Sequence, residues 1–464
     1  MEWFFSFNWI ALFALGVVLL LFVLIKYLID RINWTLVILI ALALGIGVGL
    51  VFSSDDGSYL TWVSVIGDIY VGIITALVAP VILVSIISSF ISLRDRETMT
   101  KIGLKSVFWL ILAAAAAILL SIAFGLLLNL GSSASAVFES IADVSESTVS
   151  AYDALVTSFD EVLAGLFPTN IVSDIADNNV TAIIITGIAL AVAYISVVSD
   201  EGEANVVSFR SLVDALKKIL YRVLEYVVDM TPYAVLCLIA SSAGTIFTDT
   251  DAILQLLLLV GAIYLVAIIH TYIYNGVLIA AVGRLNPVRF FSKIAPAQAT
   301  AFTTQSSVGT LPVTIDSLKN RVGVSEDIAN FTAPLGTTIG MPGCTAIWPT
   351  LLVIFYVNAV GLDWGVGEYV ILFIYALFLS FGSAGVPGIA VVSSIALFSG
   401  LGLPTAAVVL LIPINTISDM ARTACNVTAA AVSATLVARQ ENQLNDEIFR
   451  GNATVKGGTT DVQA

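Results

Sequence analysis

Apolar runs close to 20 residues long recur from one end of this chain to the other, at 9–25, 36–52, 107–129, 180–198 and 253–269. A helix needs ~20 such residues to cross the hydrocarbon layer of a bilayer, and counting partial spans gives about ten segments of this kind. The composition agrees: 59% of residues are hydrophobic, 11% are charged, and the mean hydropathy is +1.01. The chain therefore reads as an all-α, polytopic integral membrane protein. The first run lacks a basic n-region and a clear small-residue cleavage site. It reads as a transmembrane helix within 1–30 and not as a signal peptide.

The formal net charge is −14, and its distribution bears on orientation more than on a ligand. Basic residues gather at Lys26/Arg31, Arg94/Arg96/Lys101/Lys105, Arg210/Lys217/Lys218, Arg284/Arg289/Lys293 and Arg439, with none between Lys105 and Arg210. That gap holds the acidic segment 131–177, with Glu139, Asp143, Glu146, Asp153, Asp160 and Glu161. The positive-inside rule puts the basic groups in the cytoplasm of a cell membrane, the acidic segment and the N-terminus outside, and the C-terminus inside. No nucleic-acid partner is implied. Cys237, Cys344 and Cys425 lie in apolar sequence without metal-ligand spacing and read as buried free thiols. The single histidine, His270, closes an apolar run; it reads as a packed or interfacial group, with proton relay as the alternative.

Against this background Asp419, Arg422, Thr423 and Asn426 stand out. Their i, i+3, i+4, i+7 spacing places them on one helix face. Each charge at mid-membrane depth costs roughly 2.5–3.5 kcal/mol on insertion scales, so accepting it twice points to a polar ligand. A desolvated amino acid needs a partner for its ammonium and for its carboxylate. Asp419 suits the first, and the planar fork of Arg422 suits a carboxylate. Thr423 and Asn426 can complete the hydrogen bonds. The bland alternative is an internal Asp419–Arg422 pair that pins helices together.

From Pro287 onward the apolar sequence is broken repeatedly: at 302–312, at 337–345 and at 380–388. Irregular backbone at membrane depth is tolerated where protein or a watery cavity covers it, and paired interruptions mark transporter binding sites. The first and last breaks read as re-entrant hairpins. Backbone N–H groups at their tips, near Ser306, Ser307 and Val308 and near Gly385, Val386, Pro387 and Gly388, can hold a carboxylate as helix N-termini do.

The ordered motifs Ser306-Ser307-x-Gly309-Thr310-Leu311-Pro312, Pro334-Leu335-Gly336-x-Thr338-Ile339, Ala384-Gly385-Val386-Pro387-Gly388 and Asp419-Met420-x-Arg422-Thr423-x-x-Asn426-Val427 resemble the dicarboxylate/amino acid:cation symporters. That family includes the glutamate and aspartate transporters. The extra N-terminal helix and Gly340-x-x-Gly343-Cys344 are similar to its bacterial L-cystine uptake branch. The resemblance implies a homotrimer whose protomers work alone, each with a scaffold and a transport core that moves as an elevator. It implies an extra helix at 1–30, a mainly scaffold region at 31–283 that includes some core helices, a transport core at 284–440 and a cytoplasmic tail at 441–464. The second hairpin would be the external gate. Asp419, Arg422, Thr423 and Asn426 match substrate-binding positions, and the arginine marks substrates with a second carboxylate. L-cystine meets that condition, as do glutamate and aspartate; Ile389-Ala390 departs from the family's small pair after the second hairpin.

Coupling departs further. Gly340, Pro342 and Ala430 stand where sodium-coupled relatives carry an Asn and two Asp, so the strongest hard-oxygen ligands are missing. Gly336, Thr338, Met341, Ser380, Phe381 and Ser383 remain for one sodium ion. Otherwise a proton is carried, by Asp419 or by a carboxylate such as Asp68 or Asp229, although the last two read as ordinary solvated groups near helix ends. No cofactor is implied. An anion-conducting channel is the alternative from another class, but occluding hairpins over one Asp/Arg site fit a carrier better. A nucleotide-driven pump lacks its GxxxxGK[ST] motif, and a membrane enzyme lacks a nucleophile–base pair or a metal cluster.

Overall fold

A computed structural model describes residues 8–32, 34–52, 58–92, 97–138, 167–176, 180–246, 250–381 and 388–451. Among them the chain is helical, the one exception to helix and loop being an isolated antiparallel bridge between Val324 and Leu444. Six described helices are long and apolar enough to cross a membrane, or seven if one bent pair is a single span. The amino-terminal half contributes α1 (Trp9–Ile29), α2 (Trp34–Val51), α3 (Thr61–Ser92), α4 (Glu97–Leu127), α5 (Val180–Glu201), α6 (Val207–Asp229), α7 (Thr231–Ile246) and α8 (Thr250–Ala281). The bent pair is α6 and α7, which meet at 49°, where Pro232 supplies no N–H and constrains the residue before it.

The carboxyl-terminal half is built from shorter pieces, as the interruptions required. Helices α9 (Pro287–Thr304) and α10 (Ser307–Asp316) form the first hairpin; α11 (Glu326–Leu335) and α12 (Trp348–Ala359) form a helix unwound at its middle. The second hairpin consists of α13 (Val366–Leu379) and α14 (Ile389–Gly400), and α15 (Ile412–Gln440) carries the Asp/Arg motif. Helix α9 starts where Asn286 accepts from Arg289 N, with Pro287 in the first turn, a start that costs no intrahelical hydrogen bond.

The helices pack in two groups. Helices α2, α3, α5, α6 and α7 lie against one another. The α2–α7 contact is close enough that a Cβ on Gly49 would stand 2.4 Å from Ala240 O, so only glycine permits it. Helix α1 lies along this group, with Phe22 set edge-on to Tyr233 at 5.0 Å. The second group gathers α4, α8, the first hairpin, α11 and the unwound stretch Pro342–Ile347 around α15, with α12 packed on α4 and α14. The two groups meet where α14 lies on α3 and α15 on α2. Enclosure separates their roles: 17% of the α1 span is buried against 94% of the Pro342–Ala359 span, so the broken helix is the centre of the molecule and α1 its rim.

Part of the segment expected as a polar tail is folded. Helix α16 (Asp446–Arg450) buries Phe449 beside the first hairpin. Asn445 N donates to Gly323 O and Ser325 N to Gln443 O, at 2.8 and 3.1 Å. Arg439 donates to both Asp446 oxygens at 2.7 and 3.1 Å and to Gly283 O at 2.9 Å, which holds the Asp446 carboxyl below its usual range. The segment 139–166, most of the acidic loop, lies outside the described residues.

Candidate functional site

Every polar residue of the α15 motif is partly or fully buried. Arg422 is fully buried, and its Nη2 donates to Asp419 Oδ1 at 3.2 Å, to Asn415 Oδ1 at 2.7 Å and to Asn415 O at 2.9 Å. Its guanidinium lies over the Trp348 ring, 4.8 Å from the centroid, a cation–π contact that holds its plane. Nε and Nη1 have no hydrogen-bond partner among the described residues. Leaving donors of a buried guanidinium unmade is costly, so this arginine has capacity for an incoming anionic group. The Asp419–Arg422 pair thus exists but uses a single arginine nitrogen. The Asp419 side chain is 25% exposed. It also accepts from Thr423 Oγ1 at 3.3 Å and faces Cys344 Sγ at 3.7 Å.

The unwound middle of the α11–α12 helix reaches this face because two glycines allow it. Gly340 has φ +64, and a Cβ there would meet the Leu110 backbone at 2.6 Å. One on Gly343 would stand 2.2 Å from Arg422 O. Gly343 N then donates to Asn426 Oδ1 at 2.7 Å, and Asn426 Nδ2 donates to Cys344 Sγ at 3.1 Å. Asn426 therefore spends both ends of its amide tying the broken helix to α15. Asn426, Thr423 and Asp419 all line one small cavity.

The first hairpin turns within two residues. Gln305 takes a left-handed conformation, and Ser306 caps α10 by accepting from Gly309 N at 3.0 Å. Ser307 is buried, whereas Val308 is exposed. A small cavity of about 30 Å³ is lined by Gln305, Ser307, Cys344, Asn415, Asp419 and Thr423, with Gly388 and the Ile389–Ala390 pair closing it. That space fits one or two waters. A larger chamber of about 150 Å³ adjoins it, sharing Gln305, Gly388, Asn415 and Asp419 and bounded by Ile38, Tyr70 and Thr231 of the other helix group. At Gly388 a Cβ would stand 2.4 Å from Val228, so the second hairpin presses on α6. Gly385, Val386 and Pro387, expected at that hairpin's tip, lie outside the described residues, as does Ser383.

The residues expected around a cation divide. Ser380 is fully buried; its carbonyl accepts from Gly340 N at 2.6 Å, and its Oγ from Thr345 Oγ1 at 3.1 Å. Met341 O also accepts from Thr345, through N at 3.1 Å and Oγ1 at 2.8 Å. Thr338 donates back to Leu335 O, and Phe381 stacks on Phe90. Gly336 packs against Ala430 and Leu110, and lines a small cavity with Ser307, Thr314 and Thr337.

His270 sits inside the α8 span, in a stretch of widened turns at Ile269–Tyr274. It is fully buried, with Nε2 2.9 Å from Ala113 O and Nδ1 3.2 Å from Cys425 Sγ. A carbonyl can only accept, so Nε2 carries the proton; this is a packed histidine tying α8 to α4. Asp68 and Asp229 are exposed, and all three cysteines are free and buried.

Asn415 was missed by sequence reasoning, although it stands seven residues before Arg422 on the same face. It orients the guanidinium as a neutral acceptor. Asn415→Asp would place a second carboxylate there, and like-charge juxtaposition costs up to several kcal/mol. Competition binding is expected to show weaker affinity for ligands with a distal carboxylate and little change for neutral ones.

The model of the sodium:dicarboxylate symporter family matches residues 34–440. The L-cystine uptake protein TcyP of Bacillus cereus (strain ATCC 14579) is 32% identical over 406 residues, covering 86% of each chain. The protein of that name from Shouchella clausii (strain KSM-K16) is 31% identical over 463 residues, 95% of this chain and 96% of its own. An uncharacterized symporter of Haemophilus influenzae is 30% identical over 398 residues, 83% of this chain and 87% of its own.

Proposed function

Because this chain belongs to the sodium:dicarboxylate symporter family, we propose that it imports L-cystine across the cell membrane, driven by a cation gradient. The observation that carries this reading is Arg422, buried with two donors unpartnered among the described residues and set beside Asp419. One half of the substrate would place its ammonium on Asp419 and its carboxylate at the hairpin tips. The distal carboxylate would take the free edge of Arg422. The names of the Bacillus and Shouchella relatives favour cystine; glutamate or aspartate is the second reading, favoured by the same arginine.

In this reading α2, α3, α5, α6 and α7 are the scaffold of a homotrimer. Helices α4 and α8 move with the carboxyl-terminal core as an elevator, and the second hairpin is the external gate. The N-terminus lies outside and the C-terminus in the cytoplasm, where Lys26, Arg31, Arg284 and Arg439 gather. Gly340, Pro342 and Ala430 supply no carboxylate, so coupling falls either to a proton or to one sodium ion held by backbone oxygens near Ser380 and Met341.

Uptake of labelled L-cystine into proteoliposomes, with sodium and proton gradients imposed separately, tests the reading. Accumulation under one gradient identifies the coupling ion. Transport of aspartate or glutamate without cystine would overturn the substrate assignment and leave the family standing.

A further inference from the structure

The candidate cavity contains a thiol for which the transport cycle has no use. Cys344 lines it beside Asp419 and Asn426, with Sγ 3.7 Å from Asp419 Oδ1 and 3.1 Å from Asn426 Nδ2. Neither Cys237 nor Cys425 lines that cavity; Cys425 turns its sulfur to His270. One residue past Gly343, whose missing Cβ admits the Arg422 backbone, the thiol also belongs to a neighbourhood with unspent ligand capacity. Arg422, fully buried, keeps Nε and Nη1 without partners among the described residues.

Resting on the L-cystine reading, we propose that Cys344 is a covalent modification site, taken by thiol–disulfide exchange with the disulfide amino acid seated on Asp419. A cystine sulfur is three bonds from the ammonium that Asp419 would hold, and the Cys344 sulfur faces that same carboxylate. Only the thiolate attacks, and the substrate's ammonium neutralises the carboxylate charge beside it. In the exchange the Cys344 thiolate attacks one substrate sulfur. A bond forms between them, the substrate S–S bond breaks, and the other half leaves as a cysteine thiolate that takes up the proton Cys344 gave up. One disulfide is exchanged for another, so no external oxidant is needed. The product, S-cysteinylated Cys344, fills the site and halts transport until a thiol reductant reverses it. The protein would thereby lose activity when disulfide is in excess and regain it under reducing conditions.

The test uses the full-length protein in proteoliposomes. Samples taken during incubation with labelled L-cystine are assayed for binding and uptake, then by intact-mass spectrometry and peptide mapping. The expected result is one half-cystine on Cys344, removed by dithiothreitol, with a time-dependent loss of uptake that the same reductant restores. Cys344→Ser, and Cys344→Ala as a second variant, are expected to carry no adduct and to show no such decay relative to their own initial rates. Wild-type protein that binds and imports L-cystine without an adduct, or with the adduct on Cys237 or Cys425, overturns the proposal while the transport function stands. If L-cystine neither binds nor enters, the substrate reading fails, and this proposal fails with it.

Discussion

Asp419→Asn is expected to abolish accumulation of every amino-acid substrate while the protein remains folded and membrane-inserted. The side chain keeps its shape and can still accept from Thr423 and Arg422, so packing around α15 changes little. What disappears is the negative charge facing the ligand's ammonium. Truncating one partner of a buried, hydrogen-bonded charge pair costs about 2–5 kcal/mol, which at 1.4 kcal/mol per tenfold is roughly 30- to 4,000-fold in affinity. Arg422 in the variant would also face no carboxylate among its present partners, because Asn415 contributes only neutral acceptors. Equilibrium binding of labelled substrate to purified protein, with size-exclusion behaviour as the folding control, measures the effect. Unchanged affinity with lowered thermal stability would leave the pair a structural pin.

Arg422→Ala is expected to act more selectively. It removes the donors that a distal carboxylate would meet and leaves Asp419 and the hairpin tips for the α-amino-acid head. Affinity for cystine, glutamate and aspartate should fall by a similar 2–5 kcal/mol, whereas small neutral amino acids should gain relative to them. Because the arginine also stacks on Trp348, a loss of packing accompanies the loss of charge. Arg422→Lys separates the two effects: it restores charge but not the fork, so it should recover only part of the binding. Competition among neutral and acidic amino acids reads the outcome, and a uniform loss across both classes would remove Arg422 from specificity.

Much of this site was legible in the chain because helical geometry is local. The spacing of Asp419, Arg422, Thr423 and Asn426 assigns them to one face whatever surrounds the helix. The breaks at 302–312 and 337–345 likewise appear as the two-residue turn at Gln305–Ser306 and the unwound stretch before α12. The same local rule would have found Asn415. His270 is the packed histidine that its apolar setting implies, held by Ala113 O and Cys425 Sγ; only the widened turn around it leaves no mark in hydropathy.

The sequence by itself determined the membrane setting, the helical class and the positions of the charged face and of the interruptions. Each of these follows from hydropathy and from periodicities a few residues long. The tertiary structure alone decided what those features touch. It spent Asn426 on Gly343 and gave Arg422 a ring from Trp348 and an acceptor from Asn415. It also brought Cys344 to the edge of Asp419 and folded 441–451 onto the base of the first hairpin. Most of these contacts join positions far apart in the chain, where no sequence period operates. They exist because close packing around two glycines brings these elements within bonding distance, where most buried polar groups find partners.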